Sequence, residues 1–102
     1  PLQWSDAILS KLDEGTFYIS SVAFYAQFRN QGLGTSLLAH VEDIARRSGT
    51  RRLDLDVETY NKGALRFYQR FGMNTVGEPK RIVIDGREFE FIRLTKAISP
   101  TP

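Results

Sequence analysis

An aromatic and β-branched run, "FYISSVAFYAQF" (Phe17 to Phe28), leads through "RNQGLGT" into a helical stripe of apolar residues, and this order limits the fold more than any other feature. The run holds no Gly or Pro, which predicts a long strand. Both of its faces are largely apolar, so it belongs inside a sheet covered on both sides. From Gly34, Leu37, Leu38, Val41, Ile44 and Ala45 recur at the spacing of an amphipathic helix, and Gly49 stands just past its C-cap. A strand turning through glycines into a helix requires a sheet with helices packed on it. The predicted class is therefore α/β, of the α+β kind.

The rest of the chain fits that frame. "DAILSKL" (Asp6 to Leu12) predicts a short helix with Ser5 or Asp6 as N-cap and Gly15 as its end. "RLDLDVE" (Arg52 to Glu58) alternates, placing Leu53, Leu55 and Val57 toward a core and Asp54, Asp56 and Glu58 on a wet or functional face. Asn61 caps a predicted helix running to Phe71, with Ala64, Leu65, Phe67, Tyr68 and Phe71 as its apolar set and Gly72 as its stop. "KRIVIDGREFEFIRL" reads as two strands joined by Asp85-Gly86, a dipeptide suited to a tight hairpin. The predicted order is helix, strand, helix, strand, helix, strand, strand.

At 102 residues, one domain is expected over 1–102, with modest stability unless another chain contributes, because so short a chain buries only about two-thirds of its unfolded surface. The net charge is +2, but Lys and Arg are scattered, which argues against a nucleic-acid partner. Zero cysteines exclude disulfides, thiolate zinc sites and a cysteine nucleophile. No apolar segment approaches the roughly 18 residues of a membrane span, and no signal peptide is evident. A soluble, cytoplasmic protein without a membrane partner is expected.

The glycine corner raises the first chemical question. A strand ending in "RNQGLGT" turns the first N–H groups of the following helix, and the positive end of its dipole, toward one point, which attracts phosphate. Gly32 and Gly34 remove side chains that would keep a pyrophosphate away, and Thr35 and Ser36 add hydroxyls. A P-loop needs a lysine after the glycine, and a dinucleotide fold needs GxGxxG; neither is present. An ordinary strand-to-helix turn using glycine for its backbone angles remains open on spacing alone.

Two stretches taken together go further. Arg29 to Gly34 fits Gln/Arg-x-x-Gly-x-Gly/Ala, and "NKGALRFYQRFGM" fits Asn-x-x-Ala-x-x-Phe-Tyr-x-x-x-Gly-Phe, with Met73 in place of the last Phe. As an ordered pair they resemble the GNAT superfamily of acetyl-CoA-dependent N-acetyltransferases, over about Phe17 to Thr95. The resemblance implies a mixed, mostly antiparallel sheet flanked by helices and acetyl-CoA as co-substrate. It implies that backbone groups of Val22, Ala23 and Phe24 pair with the pantetheine, and that Val22 N–H serves as oxyanion donor. It also implies that Asn30, Gln31, Gly32, Leu33, Gly34 and Thr35 wrap the pyrophosphate, with Arg29 steering phosphate or capping the strand end. Asn61 would contact the pantetheine, and Tyr68 would face the sulfur and supply the proton. The family usually places a first strand, one or two helices and two more strands ahead of this region. The expectation is therefore a fold lacking its N-terminal strands, read as a C-terminal fragment, with a homodimer as another way to complete the sheet.

Other side chains have two readings each. Glu58 ends the acidic strand and is a candidate general base, or a solvated carboxylate. His40 lies off the apolar stripe and reads as a surface residue. Asp54 and Asp56 have no further hard ligand in view, so no metal is expected. Tyr18, Phe24 and Tyr25 either line an acceptor pocket or belong to the core. The leading function is acetyl transfer from acetyl-CoA to a primary amine of a small molecule or peptide. The alternative is a non-catalytic acyl-CoA-binding or subunit-pairing module.

Overall fold

The computed structural model describes residues 9–13, 15–19 and 34–99. Its elements are β1 (Leu9–Asp13), β2 (Thr16–Ile19), α1 (Gly34–Arg47), β3 (Arg52–Glu58), α2 (Lys62–Phe71), β4 (Asn74–Ile84) and β5 (Arg87–Ala97). The strands form one sheet in the order β1-β2-β3-β5-β4. Only β2 and β3 pair in parallel; the other neighbours are antiparallel. This is the mixed, mostly antiparallel sheet that the resemblance implies.

One element is corrected. Leu9 to Leu12 are not helical: they lie in β1, with Leu9 opposite Ile19, Ser10 opposite Tyr18 and Lys11 opposite Phe17. A segment this short cannot repay helix nucleation by itself, and the adjacent edge of β2 offers every backbone group a partner. Tertiary pairing overrides the local pattern. Of the long predicted strand, Phe17 to Ile19 are seen in β2, which lies between β1 and β3; the stretch from 20 to 33 lies outside the described residues.

The connections fix where the helices lie. β3 and β4 both run antiparallel to β5, so they are parallel to each other, as are β2 and β3. Parallel crossovers are right-handed, which puts α1 and α2 on the same face of the sheet. Lys96 of β5 shows this directly: its Nζ lies 2.9 Å from Glu42 Oε1 on α1 and 4.1 Å from the Phe71 ring on α2. The core fills that face with Leu38, Val41 and Ala45 from α1, Leu53 and Leu55 from β3, Ile92 and Leu94 from β5, and Tyr68 from α2.

Left-handed backbone ends α2 and joins β4 to β5. Gly72 ends α2 at φ 109°. Its N–H bonds Gln69 O at 3.0 Å, and Lys96 Nζ donates to Phe71 O at 3.1 Å, so the last helical carbonyls are satisfied. Asp85 (φ 50°) and Gly86 (φ 75°) join β4 to β5 as the sequence predicts. β4 is exposed along its length, leaving Val76, Ile82, Val83 and Ile84 in solvent.

Candidate active site

The face of β3 turned away from the helices is not wet as its alternation suggests. Asp54 is only 3 % exposed. It accepts from Thr95 Oγ1 at 2.6 Å and from Arg93 Nη1 at 3.3 Å, and Arg52 Nε lies 3.1 Å away. Asp56 takes Arg93 on both oxygens, from Nε at 2.7 Å and Nη2 at 3.2 Å, and accepts from the Tyr18 hydroxyl at 2.8 Å. The physical reason is register. Antiparallel pairing sets Asp56 opposite Arg93 and Asp54 opposite Thr95, so three strands meet in one charge-assisted network. Desolvation, with the hydrogen bond to Asp56, pushes the Tyr18 phenol up to about 12. Tyr18 is thus neither a core tyrosine nor a free pocket wall.

This network was not foreseen, and Arg93 is the residue missed. Its signal was present: "FIRLT" alternates, so Arg93 and Thr95 share the face opposite Ile92 and Leu94. What the sequence hides is which strand lies beside it. Both aspartates are engaged by protein partners, and no group of three or more potential metal ligands occurs among the described residues.

At the far end of β3 the chain turns directly into α2. Asn61 N–H donates to Glu58 O at 3.0 Å, and Asn61 Oδ1 accepts from Ala64 N–H at 3.1 Å, forming the N-cap that the sequence predicts. With the carbonyl so used, the exposed Asn61 amide keeps its NH₂ as a donor for a ligand. Replacing Asn61 by Ala is expected to cost about 1 kcal/mol, read as a lowered thermal midpoint. Tyr68 follows at i+7 from Asn61, on the same helical row. It is 5 % exposed, packed edge-on to Phe67 at 5.3 Å, and burial pushes its phenol up to about 12. A group held this far above neutrality stays protonated and keeps its O–H as a donor.

Glu58 is half-buried and, by alternation, shares the face of Asp54 and Asp56, opposite the helices. Tyr68 lies in the core on the helix side of the sheet, and Glu58 stands on the opposite face. Gly34 and Thr35 begin α1, whose first-turn N–H groups have no helical acceptor and whose first turn carries no acidic residue. That suits an anion. Val22, Ala23, Phe24, Arg29, Asn30, Gln31, Gly32 and Leu33 lie outside the described residues, as does Tyr25. His40 is exposed, as expected.

A family model described as the acetyltransferase (GNAT) family matches residues 4–73. The chain belongs to the GNAT acetyltransferase family. Among its relatives, the [ribosomal protein bS18]-alanine N-acetyltransferase of Escherichia coli K12 is 34% identical over 79 residues, covering 76% of this chain and 52% of that protein. N-alpha-acetyltransferase 50 of Danio rerio is 36% identical over 64 residues, covering 62% of this chain and 38% of that protein. The GNAT chain thus spans about half the length, or less, of these curated relatives. A GNAT family acetyltransferase from Elizabethkingia anophelis, solved with acetyl-CoA bound, superposes with a TM-score of 0.66 at 25% identity, covering 88% of this chain and 65% of that one. No helix among the described residues is long and apolar enough to cross a membrane.

Proposed function

We propose that residues 1–102 are the coenzyme-binding portion of one GNAT domain that moves an acetyl group from acetyl-CoA to a primary amine by direct transfer. The observation that carries this reading is Tyr68: a buried phenol, held in its protonated form by burial, two helical turns beyond the Asn61 cap. The start of α1 receives the pyrophosphate, with Arg29 and Asn30 to Thr35 around it, and the backbone of Val22, Ala23 and Phe24 aligns the pantetheine. The Asn61 NH₂ donates to the pantetheine arm. The amine enters from the Glu58 side and attacks the thioester carbonyl; Val22 N–H holds the oxyanion. As the C–S bond breaks, Tyr68 donates to the developing thiolate and passes it a proton that the phenol regains from solvent, while Glu58 takes the proton lost by the amine, directly or through water.

The acceptor class is an amine of a small molecule or peptide, and the compartment is the cytoplasm, which the lack of cysteine suits. Exposed Val76, Ile82, Val83 and Ile84 support a second chain covering β4.

The test is an assay of the complete protein with acetyl-CoA and a panel of amines, following free thiol. Acetylated amine and thiol are expected in equal amounts, with Glu58→Gln impairing turnover most at pH values where the amine is protonated. Tight coenzyme binding without any turnover across the panel would favour the non-catalytic binding module.

A further inference from the structure

The basic residues look dispersed in the sequence, but α2 gathers three of them. Lys62, Arg66 and Arg70 recur every four residues, so they share one face, each step about 6 Å along the axis. All three are exposed. α2 contains no carboxylate, so it alone carries more positive charge than the chain's net +2. On α1, by contrast, Arg46 pairs with Glu42 and Arg47 with Asp43. Among the described residues no carboxylate answers the α2 cations. Lys62 also opens the helix, where the dipole disfavours a cation. Arg70, in the last turn, is favoured by the dipole, but the mutual repulsion of the three cations and the placing of Lys62 are unanswered within the described residues, which is expected where a partner supplies the counter-charge.

The geometry points to a docking surface for single-stranded nucleic acid along the exposed face of α2. A row of cations at regular spacing matches a phosphate backbone, and Tyr60, 70 % exposed in the turn before the helix, offers a ring on which a base can stack. An anionic membrane fits less well. Binding in an interface needs large apolar side chains on the presented face, whereas Leu65, Phe67, Tyr68 and Phe71 pack against the core. This surface does not depend on the transfer chemistry.

Fluorescence anisotropy of the complete protein with a labelled oligouridylate of about 12 nucleotides tests it. At low salt the oligomer binds, and log K falls with log[salt] at a slope of about −2, for three phosphate contacts at ~0.7 each. Arg66→Gln reduces the slope by about 0.7, K62Q/R66Q/R70Q abolishes binding, and Tyr60→Ala weakens it about five- to 150-fold. Saturating CoA leaves binding unchanged. The proposal is overturned if the oligomer fails to bind, if the triple variant binds normally, or if CoA competes stoichiometrically, which would assign the row to the coenzyme's phosphates. Equal binding to phosphatidylserine vesicles or polyglutamate would also overturn it.

Discussion

Replacing Tyr68 by Phe in the complete enzyme lowers kcat by about ten- to a thousandfold, while affinity for CoA changes little. The substitution keeps the ring, its edge contact with Phe67 and its place in the core, and removes only the hydroxyl. A thiol near the ordinary range of about 8.5 leaves more easily when a donor meets the developing thiolate. Because burial alone holds this phenol at about 12, it remains a donor throughout any workable pH range, so the alkaline limb of the rate profile belongs to other groups. The sign for stability follows. A folded-state value above the usual 10 contributes stability in full below pH 10, lost as pH rises toward 12. Unchanged kcat would move the proton to water, and parallel loss of coenzyme binding would make Tyr68 a packing residue.

Arg93→Met destabilises the protein by about 2 kcal/mol, between the cost of losing an exposed pair and that of losing a buried one, because Arg93 and Asp56 are each about a third exposed. On a domain of this size that is a fall in Tm of about 10 °C. Met keeps much of the side-chain volume but leaves Asp56 with neither of its two guanidinium bonds and Asp54 without a third. The penalty is moderated by what remains: Asp54 keeps Thr95 and Arg52, and Asp56 keeps Tyr18. Asp56→Asn added to Arg93→Met costs less than the two changes separately, since each already breaks the same contact. Strict additivity, or a loss under about 1 kcal/mol, would show the network to be a surface pairing.

Elements with strong local signals were legible in the sequence. The stripe from Leu38 to Ala45, the Asn61 cap, the Gly72 stop and the Asp85-Gly86 turn each rest on chemistry within a few residues, and each appears in the fold. Leu9 to Leu12 failed because their partner, β2, decides their state. Asp54 and Asp56 were legible as one face but not as a buried network, because Arg93 stands almost forty residues away and only the strand order brings it opposite. The same limit applied to charge: Lys62, Arg66 and Arg70 became a row only when α2 was known to bury its other side. Of the candidate site, Glu58 and Asn61 meet where β3 turns into α2, and Tyr68 lies in the core on the helix side of the sheet.

The most direct measurement is a calorimetric titration of the complete protein with CoA, repeated on Gly34→Glu and with ATP and NAD as competitors. One CoA binds per chain, ATP and NAD do not compete effectively, and Gly34→Glu loses binding, because it places a carboxylate at the helix start where the phosphates must sit. Undiminished CoA binding by Gly34→Glu, or equal competition by ATP, would contradict this binding mode.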